Sequence, residues 1–509
     1  MKGAKIYIAV KEEKKVTGGL ERMKNMLFVE SKIFFGMLLA SSPLLLSSPA
    51  AGAGNSVPGV VSADDKPLAA VSYNDNYANA QEGKAVAVDS QEIPQEEPES
   101  FFNDEEGHVF GYQDGYFHAS LALSGEWTDN LYNYDSDKQE NWLTRISPSV
   151  WLTWPRRAKR PLHLAVDNTA VGGLQYSPDE YDVYNKFQVY LAGNLSYMTY
   201  SADSELDHVE NGVQGSIMYK PAERLTLQLM DGYSHSQDIF NILEATPEND
   251  RVYDSNVFGA SANWQFSDKL SVEVGYANHL LMYDLDLNNF MDRSDQGFNG
   301  ALAYHYSPKT DFFLSYSLLG VGYDEDEQPD NTNEFWNAGI NWHATVKTSL
   351  MLKAGYQSVE YDDAWKSSNA QGVADIINNG DDAFNFEMQG TWQATPKSQF
   401  LVNSKYSIEQ TDSKYALNKT VFAARLAYGY RFTDRLKGDI NFIYEDSDYA
   451  QFDGTSRLDE RWNWGPSVQY AVKKWLSLYL YYNFDKKDSN YDELDYETNV
   501  LGAGITGSF

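Results

Sequence analysis

The feature that most constrains this chain is a strict alternation of apolar and polar residues from about Gly111 to Phe509. The clearest example is 422–432, where the apolar set is Phe422, Ala424, Leu426, Tyr428, Tyr430 and Phe432 and the set between them is Ala423, Arg425, Ala427, Gly429 and Arg431. Successive side chains of a strand point to opposite faces, so one face of each such strand is apolar. The runs last about ten residues or more, which is the length that a tilted strand needs to cross a bilayer.

The alternating runs are joined in pairs by short turns, and the paired unit recurs. Its copies lie at 219–233, 264–276, 304–316, 342–356, 392–406, 430–444 and 470–482. Aromatic residues bracket the turn in nearly every copy, which predicts an aromatic girdle at that end of a barrel. The intervening segments, such as 323–334, 361–382 and 445–460, are long and acidic. Short turns that alternate with long loops are typical of outer-membrane barrels, whose short turns face the periplasm.

The pattern predicts an all-β fold over 107–509, a transmembrane antiparallel up-and-down β-barrel of about 18 strands, within a range of about 16 to 20. The expected single strands are 113–129 and 495–509, and the expected hairpins are 140–176, 208–238, 252–285, 296–323, 334–361, 383–411, 419–446 and 461–484. A further hairpin about Ala192-Gly193-Asn194, within 180–207, would raise the count to about 20. The expected lipid-facing set is Leu426, Tyr428, Tyr430, Ile440 and Phe442.

The N-terminal region predicts an export signal. Residues 33–46 form an apolar run that is too short for a membrane span but suits a signal-peptide core. Small residues follow, so we expect a signal peptide over 1–53 and a mature protein that begins at Gly54. Met23, followed by Lys24, is a more natural start than Met1, because the region before the apolar run is unusually long if the chain starts at Met1. Residues 54–106 are acidic and poor in apolar side chains, which predicts a disordered periplasmic leader.

Composition excludes several classes of protein. The net charge of -33 argues against a nucleic-acid partner, because phosphate binding needs a basic surface. The chain has no cysteine, and therefore no disulfide, thiolate metal site or lipoprotein anchor. A mean hydropathy of -0.52 argues against several helical spans. An aromatic content of 14% suits the two girdles of a barrel.

Repeated hairpins of the form S/P-x-[KR]-x-L-x-[LV], together with the stretch ISPSVWLTW at 146–154, resemble the family of putative β-barrel porins of the outer membrane. The resemblance covers about 110–509. It implies a porin-like barrel in the outer membrane, and some members are suspected of serving exopolysaccharide export. It transfers no site residue to this chain.

Three functions remain open at this point. The first is a channel for small hydrophilic solutes, the second is a barrel for polysaccharide export or surface assembly, and the third is an adhesin or scaffold that acts through its loops. Arg425, Arg431, Arg435 and Lys437 are predicted to form a basic strip on the lumen side. The acidic loops outweigh that strip, so we expect a weak preference for cations.

The expected partners follow from the predicted location, an outer membrane with the N-terminus in the periplasm. They are outer-membrane lipid, lipopolysaccharide, the outer-membrane assembly machinery, and either small solutes or a polysaccharide. Leu501, Ile505 and Phe509 form a candidate assembly signal in an apolar terminal strand, although Gly507 departs from the usual apolar pattern.

No motif in the sequence points to catalysis or to a cofactor. None of the eight histidines has a metal-binding spacing, and no nucleophile elbow or nucleotide-binding loop is found. Asp284-x-Asp286-x-Asn288 and the acidic run 324–327 offer hard oxygen ligands for Ca²⁺, although solvated acidic loops are the expected state. The basic cluster 155–161 is predicted to lie on the periplasmic side as a solubilising turn, or to meet anionic headgroups or the acidic residues 91–100.

Overall fold

A computed structural model describes residues 115–157, 186–202, 204–238, 251–284, 286–325, 328–362, 381–409, 411, 413, 416–451, 455–473 and 475–508. All of them lie in the second of two compact units, Ala51–Phe509. The predicted signal peptide 1–53 and leader 54–106 lie outside the described residues, so both stay predictions. Among the described residues no helix is long and apolar enough to span a membrane.

Eighteen strands form one antiparallel sheet that closes on itself, because β1 pairs with both β2 and β18. The predicted fold class is therefore confirmed. The strands are β1 (Gly115–Thr128), β2 (Asn141–Arg157), β3 (Phe187–Tyr200), β4 (His208–Ala222), β5 (Leu225–Asp238), β6 (Arg251–Ser267), β7 (Leu270–Tyr283), β8 (Arg293–Ser307), β9 (Thr310–Tyr323), β10 (Asn331–Thr345), β11 (Thr348–Tyr361), β12 (Asp381–Thr395), β13 (Ser398–Glu409), β14 (Ala416–Thr433), β15 (Leu436–Gln451), β16 (Ser456–Lys473), β17 (Leu476–Ser489) and β18 (Tyr496–Ser508). Short 3₁₀ helices lie at Ser204–Leu206, Asp286–Met291 and Asp492–Leu494.

Alternation separates an apolar outer face from an inner wall. On β14 and β15 the side chains of Leu426, Ile440 and Phe442 are exposed, whereas Ala427 and Asn441 are buried on the opposite face. Tyr428 and Tyr430 lie on the same face as Leu426 and are partly exposed. The expected lipid-facing set therefore shares one face, and that face is the outside of the barrel.

One end of the barrel, the short-turn end, is built from two-residue turns. These include Asp268-Lys269, Pro308-Lys309, Val346-Lys347, Pro396-Lys397 and Asp434-Arg435. In each of the five the hydroxyl oxygen of the preceding Ser or Thr accepts the backbone N–H of the Lys or Arg, at 3.1–3.3 Å. This local bond stabilises the turn independently of the basic side chain.

An aromatic girdle lies just above these turns. The fourth residue from the end of every even-numbered strand from β2 to β16 is Tyr or Trp: Trp154, Tyr219, Trp264, Tyr304, Trp342, Trp392, Tyr430 and Tyr470. Seven of the eight are more than 40% exposed, and Tyr430 is partly exposed. A second aromatic band lies higher on the outer face, where Tyr316 contacts Trp336 at 4.3 Å and Tyr444 contacts Trp462 at 4.4 Å between ring centroids. The aliphatic outer face lies between the two bands.

The expected hairpin about Ala192-Gly193-Asn194 is wrong. Residues 187–200 form one continuous strand in which Gly193 pairs with Val150 on one side and Val213 on the other. Gly193 resembles a turn residue in the sequence, but here it lies in the middle of β3. β2 thus pairs with β1 on one side and with β3 on the other, and residues 158–176, where a return strand was expected, lie outside the described residues.

The acidic segment 445–460 is also mostly strand, contrary to its interpretation as a loop. β15 continues to Gln451 and β16 begins at Ser456. Asp446 and Asp448 point outward while Glu445 and Ser447 point inward, so the alternation continues through the acidic residues. These strands extend beyond the upper aromatic band, which places the acids outside the apolar region.

Candidate functional site

The inner wall is the candidate functional surface, and it is largely polar. Amide and hydroxyl side chains alternate with the outward apolar residues; examples are Gln214, Gln228, Asn463, Ser467 and Gln469. Many inward side chains are closely packed, since Gln357, Val359, Tyr253 and Tyr190 are each no more than 1% exposed. The path for a solute is therefore narrower than the ring of strands.

Charged side chains of the inner wall occur as pairs of opposite sign. Nε of Arg461 donates to Oδ1 of Asp485 at 2.9 Å, and Nε of Arg457 donates to Oδ1 of Asp459 at 3.0 Å. Lys419 lies 3.5 Å from Glu445. Further pairs are Lys353 with Glu387, Lys405 with Glu409, and Arg293 with Asp295. Because each cation has a nearby carboxylate, this part of the wall does not strongly favour ions of one sign.

The structure brings three of the four predicted basic-strip residues together on the inner wall. Arg431 is directly opposite Lys437 in the β14–β15 ladder, and Nε of Arg425 donates to Oδ1 of Asn441 at 2.9 Å. Arg435 lies in the exposed turn instead. Asp439 lies on the inner face between these strip residues and accepts a hydrogen bond from Ser467 at 2.6 Å. The role of the strip in attracting anions stays a prediction.

Two hydrogen-bonded chains on the inner wall have the order serine, histidine, aspartate. Oγ of Ser271 lies 3.1 Å from Nε2 of His305, and Nδ1 of His305 lies 2.7 Å from Oδ1 of Asp311. Ser255, His279 and Asp295 repeat the order, with 2.9 Å between Ser255 and His279 and 3.4 Å between His279 and Asp295.

This order of residues is shared with acyl-transfer nucleophiles. The Ser255 chain, however, is at most 3% exposed, so a substrate carbonyl has no access to it. Its presence in so buried a position indicates that inward Ser, His and Asp satisfy one another's hydrogen bonds, as buried polar groups must. Spacing in the sequence gave no signal for either chain, because each is assembled from neighbouring strands.

The opposite end of the barrel, the long-loop end, uses aspartates to close its loops. In four loops the residue just before an even-numbered strand accepts the backbone N–H at the end of the preceding strand: Asp207 from Tyr200 at 2.7 Å, Asp292 from Tyr283 at 2.7 Å, Asp330 from Tyr323 at 2.8 Å, and Asp495 from Ser489 at 2.6 Å. The pKa of Asp292 is raised to about 7, first by burial and then by the charges of Asp324 and Glu325, whereas the hydrogen bond from Tyr283 lowers it. Burial also raises the pKa of Asp324.

The two candidate Ca²⁺ segments lie at this same end. Asp284 is exposed and Asn288 is buried, while the side chain of Asp286 and residues 326–327 lie outside the described part of the chain. Within the described part, no group of three or more His, Asp and Glu side chains is arranged to hold a metal ion.

Two other candidate regions reach the short-turn end. In the assembly signal, Leu501 is exposed on the outer face in the middle of β18, Ile505 is on the same face nearer the turns, and Phe509 lies outside the described residues. The start of the basic cluster, 155–157, forms the end of β2, and the rest of the cluster is not described. The proposed roles of both regions stay predictions.

The family model for putative beta-barrel porin 2 matches residues 182–509, which is more than half of the chain. The chain belongs to this family. The resemblance inferred from the hairpins is thereby confirmed over β3 to β18. Membership identifies the protein as an outer-membrane β-barrel of the porin type.

Comparison with solved structures finds bacterial proteins of low sequence identity. OccAB4 of Acinetobacter baumannii is 14% identical, with 78% of this chain and 99% of that chain covered and a TM-score of 0.40. OccK2 of Pseudomonas aeruginosa, solved in complex with glucuronate, is 10% identical, with 77% and 98% covered and a TM-score of 0.41. No curated protein matches the sequence.

Proposed function

We propose that this protein is an outer-membrane channel for small hydrophilic solutes, with a weak preference for cations. The observation that carries the proposal is the contrast between the two faces of one closed sheet, apolar outside and polar inside. A polar wall inside an apolar cylinder lowers the barrier that lipid presents to hydrated solutes.

The preference for cations is attributed to the long-loop end, since six of the inner-wall cations lie beside a carboxylate. Exposed carboxylates at that end include Asp135, Asp137, Asp284, Asp492 and Glu493. They raise the local cation concentration at the mouth and repel anions. The predicted basic strip acts in the opposite direction, but it comprises only a few inward cations.

The test is conductance of the refolded full chain in a planar bilayer under a salt gradient. We expect a reversal potential of the sign that cation permeation produces, larger at low than at high ionic strength. A preference for anions that persists at low salt would show that the basic strip controls selectivity, and would reject this part of the proposal.

A second candidate function is a barrel for polysaccharide export or surface assembly. The close packing of the inner wall favours it, because a barrel that opens only with a partner is narrow at rest. Absence of conductance from folded, membrane-inserted protein would support this candidate over the channel.

We also propose that the short-turn end faces the periplasm, together with the N-terminus, as in other outer-membrane barrels. Because the chain has no cysteine, single cysteines report orientation without background labelling. On intact cells, a membrane-impermeant thiol reagent is expected to label Ser136→Cys in the β1–β2 loop and to leave Pro308→Cys in the β8–β9 turn unlabelled. The reverse pattern would overturn the orientation.

A further inference from the structure

Six consecutive two-residue turns carry a cation at the same position. The second turn residue is Arg224, Lys269, Lys309, Lys347, Lys397 and Arg435, which we call the turn cations, and all six are exposed. Acidic residues hold the first position in three of these turns, as Glu223, Asp268 and Asp434. The turn cations still predominate, in a chain whose net charge is -33.

Turn geometry does not explain this choice of residue. None of the six has a positive φ, and in five of the six turns the backbone N–H of the basic residue donates to the preceding Ser or Thr hydroxyl. The second central position of a common turn accepts most residues and favours none of the cations. The positive charge itself, rather than the turn geometry, therefore requires an explanation.

The position of the turn cations relative to the girdle suggests what the positive charge interacts with. Each lies five residues after an outward Tyr or Trp: Lys309 follows Tyr304, Lys347 follows Trp342 and Lys397 follows Trp392. Girdle aromatics mark the boundary of the hydrocarbon. Five residues span at most about 16 Å along a strand, and less along the tilted barrel axis, so a lysine side chain reaches the headgroup layer.

We propose that the turn cations form a binding ring for anionic phospholipid headgroups in the leaflet at the short-turn end. Lys and Arg bind phosphodiester oxygens through charge-assisted hydrogen bonds. The ring follows the hairpins from β4–β5 round to β14–β15, and a lipid annulus contacts all of these hairpins alike.

A different occupant, the acidic segment 91–106 of this chain, fits the ring less well. That segment joins the barrel at β1, which lies between β2 and β18, on a part of the sheet that carries none of the turn cations. One segment that is attached at β1 does not contact cations on six hairpins that extend from β4–β5 to β14–β15.

The experiment measures which lipid contacts the girdle. The full chain is refolded into phosphatidylcholine vesicles that contain a minor fraction of brominated phosphatidylglycerol or, in parallel, of brominated phosphatidylcholine. Bromine quenches tryptophan on contact, and Trp264, Trp342 and Trp392 are exposed beside the turn cations. Both leaflets have the same composition, so the result depends neither on orientation nor on conductance.

Wild-type protein is expected to prefer phosphatidylglycerol about fivefold at low salt, because one cation at an anionic surface contributes about that factor. The preference should largely disappear at 1 M salt, where the Debye length is about 3 Å. The variant Lys309→Gln/Lys347→Gln/Lys397→Gln/Arg435→Gln should lose most of it, because only Arg224 and Lys269 remain, while its backbone turn bonds are retained.

The matched control is Lys138→Gln/Lys486→Gln, which removes two cations at the long-loop end. It is compared with the pair Lys309→Gln/Lys347→Gln, which removes two turn cations. This pair also replaces the quadruple variant if the quadruple variant does not fold. The control should keep the wild-type preference, and the turn pair should lower it. Equal preference in the turn variants and the wild type would overturn the proposal. Carbodiimide cross-links between turn lysines and residues 92–106, without any lipid preference, would also overturn it and would identify the leader as the occupant.

Discussion

The turns at one end of this barrel and the loops at the other are held by different hydrogen bonds. The basic residues and aspartates that take part in these bonds also give the two ends their charges. At the short-turn end a Ser or Thr hydroxyl accepts the backbone N–H of a basic residue, as Thr345 does from Lys347 at 3.1 Å. At the long-loop end an aspartate accepts the backbone N–H, as Asp292 does from Tyr283 at 2.7 Å. A net charge of -33 is thus not spread evenly, since acids collect at one end and cations at the other.

The outer face of the band between the two ends is apolar, and we expect lipid to cover it. The outward residue Leu426 lies in that band, and Phe432 lies on the same face of β14, near its turn. Leu426→Arg is expected to cost about 2–4 kcal/mol, because it places a charge near the bilayer midplane, whereas Phe432→Arg should cost only about 0–1 kcal/mol.

Denaturant unfolding in phospholipid vesicles measures both costs. Ala427, the inward neighbour of Leu426, is only 2% exposed, so it is a poor control because an arginine there would also be crowded. Equal costs at positions 426 and 432 would show that the band between the ends is not lipid-covered.

The acidity of the long-loop end can be removed without touching the aspartates that close its loops. In the variant Asp135→Asn/Asp137→Asn/Asp284→Asn/Asp492→Asn/Glu493→Gln, we expect the cation-to-anion permeability ratio to fall on the order of twofold at low salt. Bi-ionic and gradient reversal potentials measure the ratio. The control Asp446→Asn/Asp448→Asn neutralises acids on the outer face and should change the ratio less. An unchanged ratio in the five-site variant would show that these long-loop carboxylates do not determine selectivity.

The smallest expected effect concerns protonation of Asp292. Its pKa is raised from 3.8 to about 7, first by burial. The folded protein therefore holds this proton between about pH 4 and pH 7 where the unfolded chain does not, so this group stabilises the loop as pH falls below 7 and the benefit is lost as pH rises through 7.

Titration of the Asp292 carboxyl carbon by NMR should give a midpoint near 7. Asp292→Asn keeps an oxygen acceptor for Tyr283 and should remove this part of the pH dependence of loop stability. A carboxyl midpoint near the ordinary value of 3.8 would contradict the account of a buried loop-closing carboxylate.

Sequence periodicity predicted most of the fold, because an outward apolar residue at every second position is required wherever lipid covers the barrel. It failed at β3, where Gly193 resembles a turn residue, and at 445–460, where strands run on beyond the membrane. Periodicity does not predict which inward side chains contact one another. Ser271, His305 and Asp311 meet only through the register of three strands, and a slip of one residue would reverse every face.

The central claim is that the two ends bear opposite charges around one path through the membrane. It is tested most directly by reversal potentials of uniformly oriented channels, with the dilute solution placed first at the long-loop end and then at the short-turn end. Charges at the dilute end dominate, because the Debye length is about 30 Å at 0.01 M and about 3 Å at 1 M. The account predicts a clear cation preference in the first arrangement and a weaker or reversed preference in the second. Equal potentials of opposite sign in the two arrangements would contradict it.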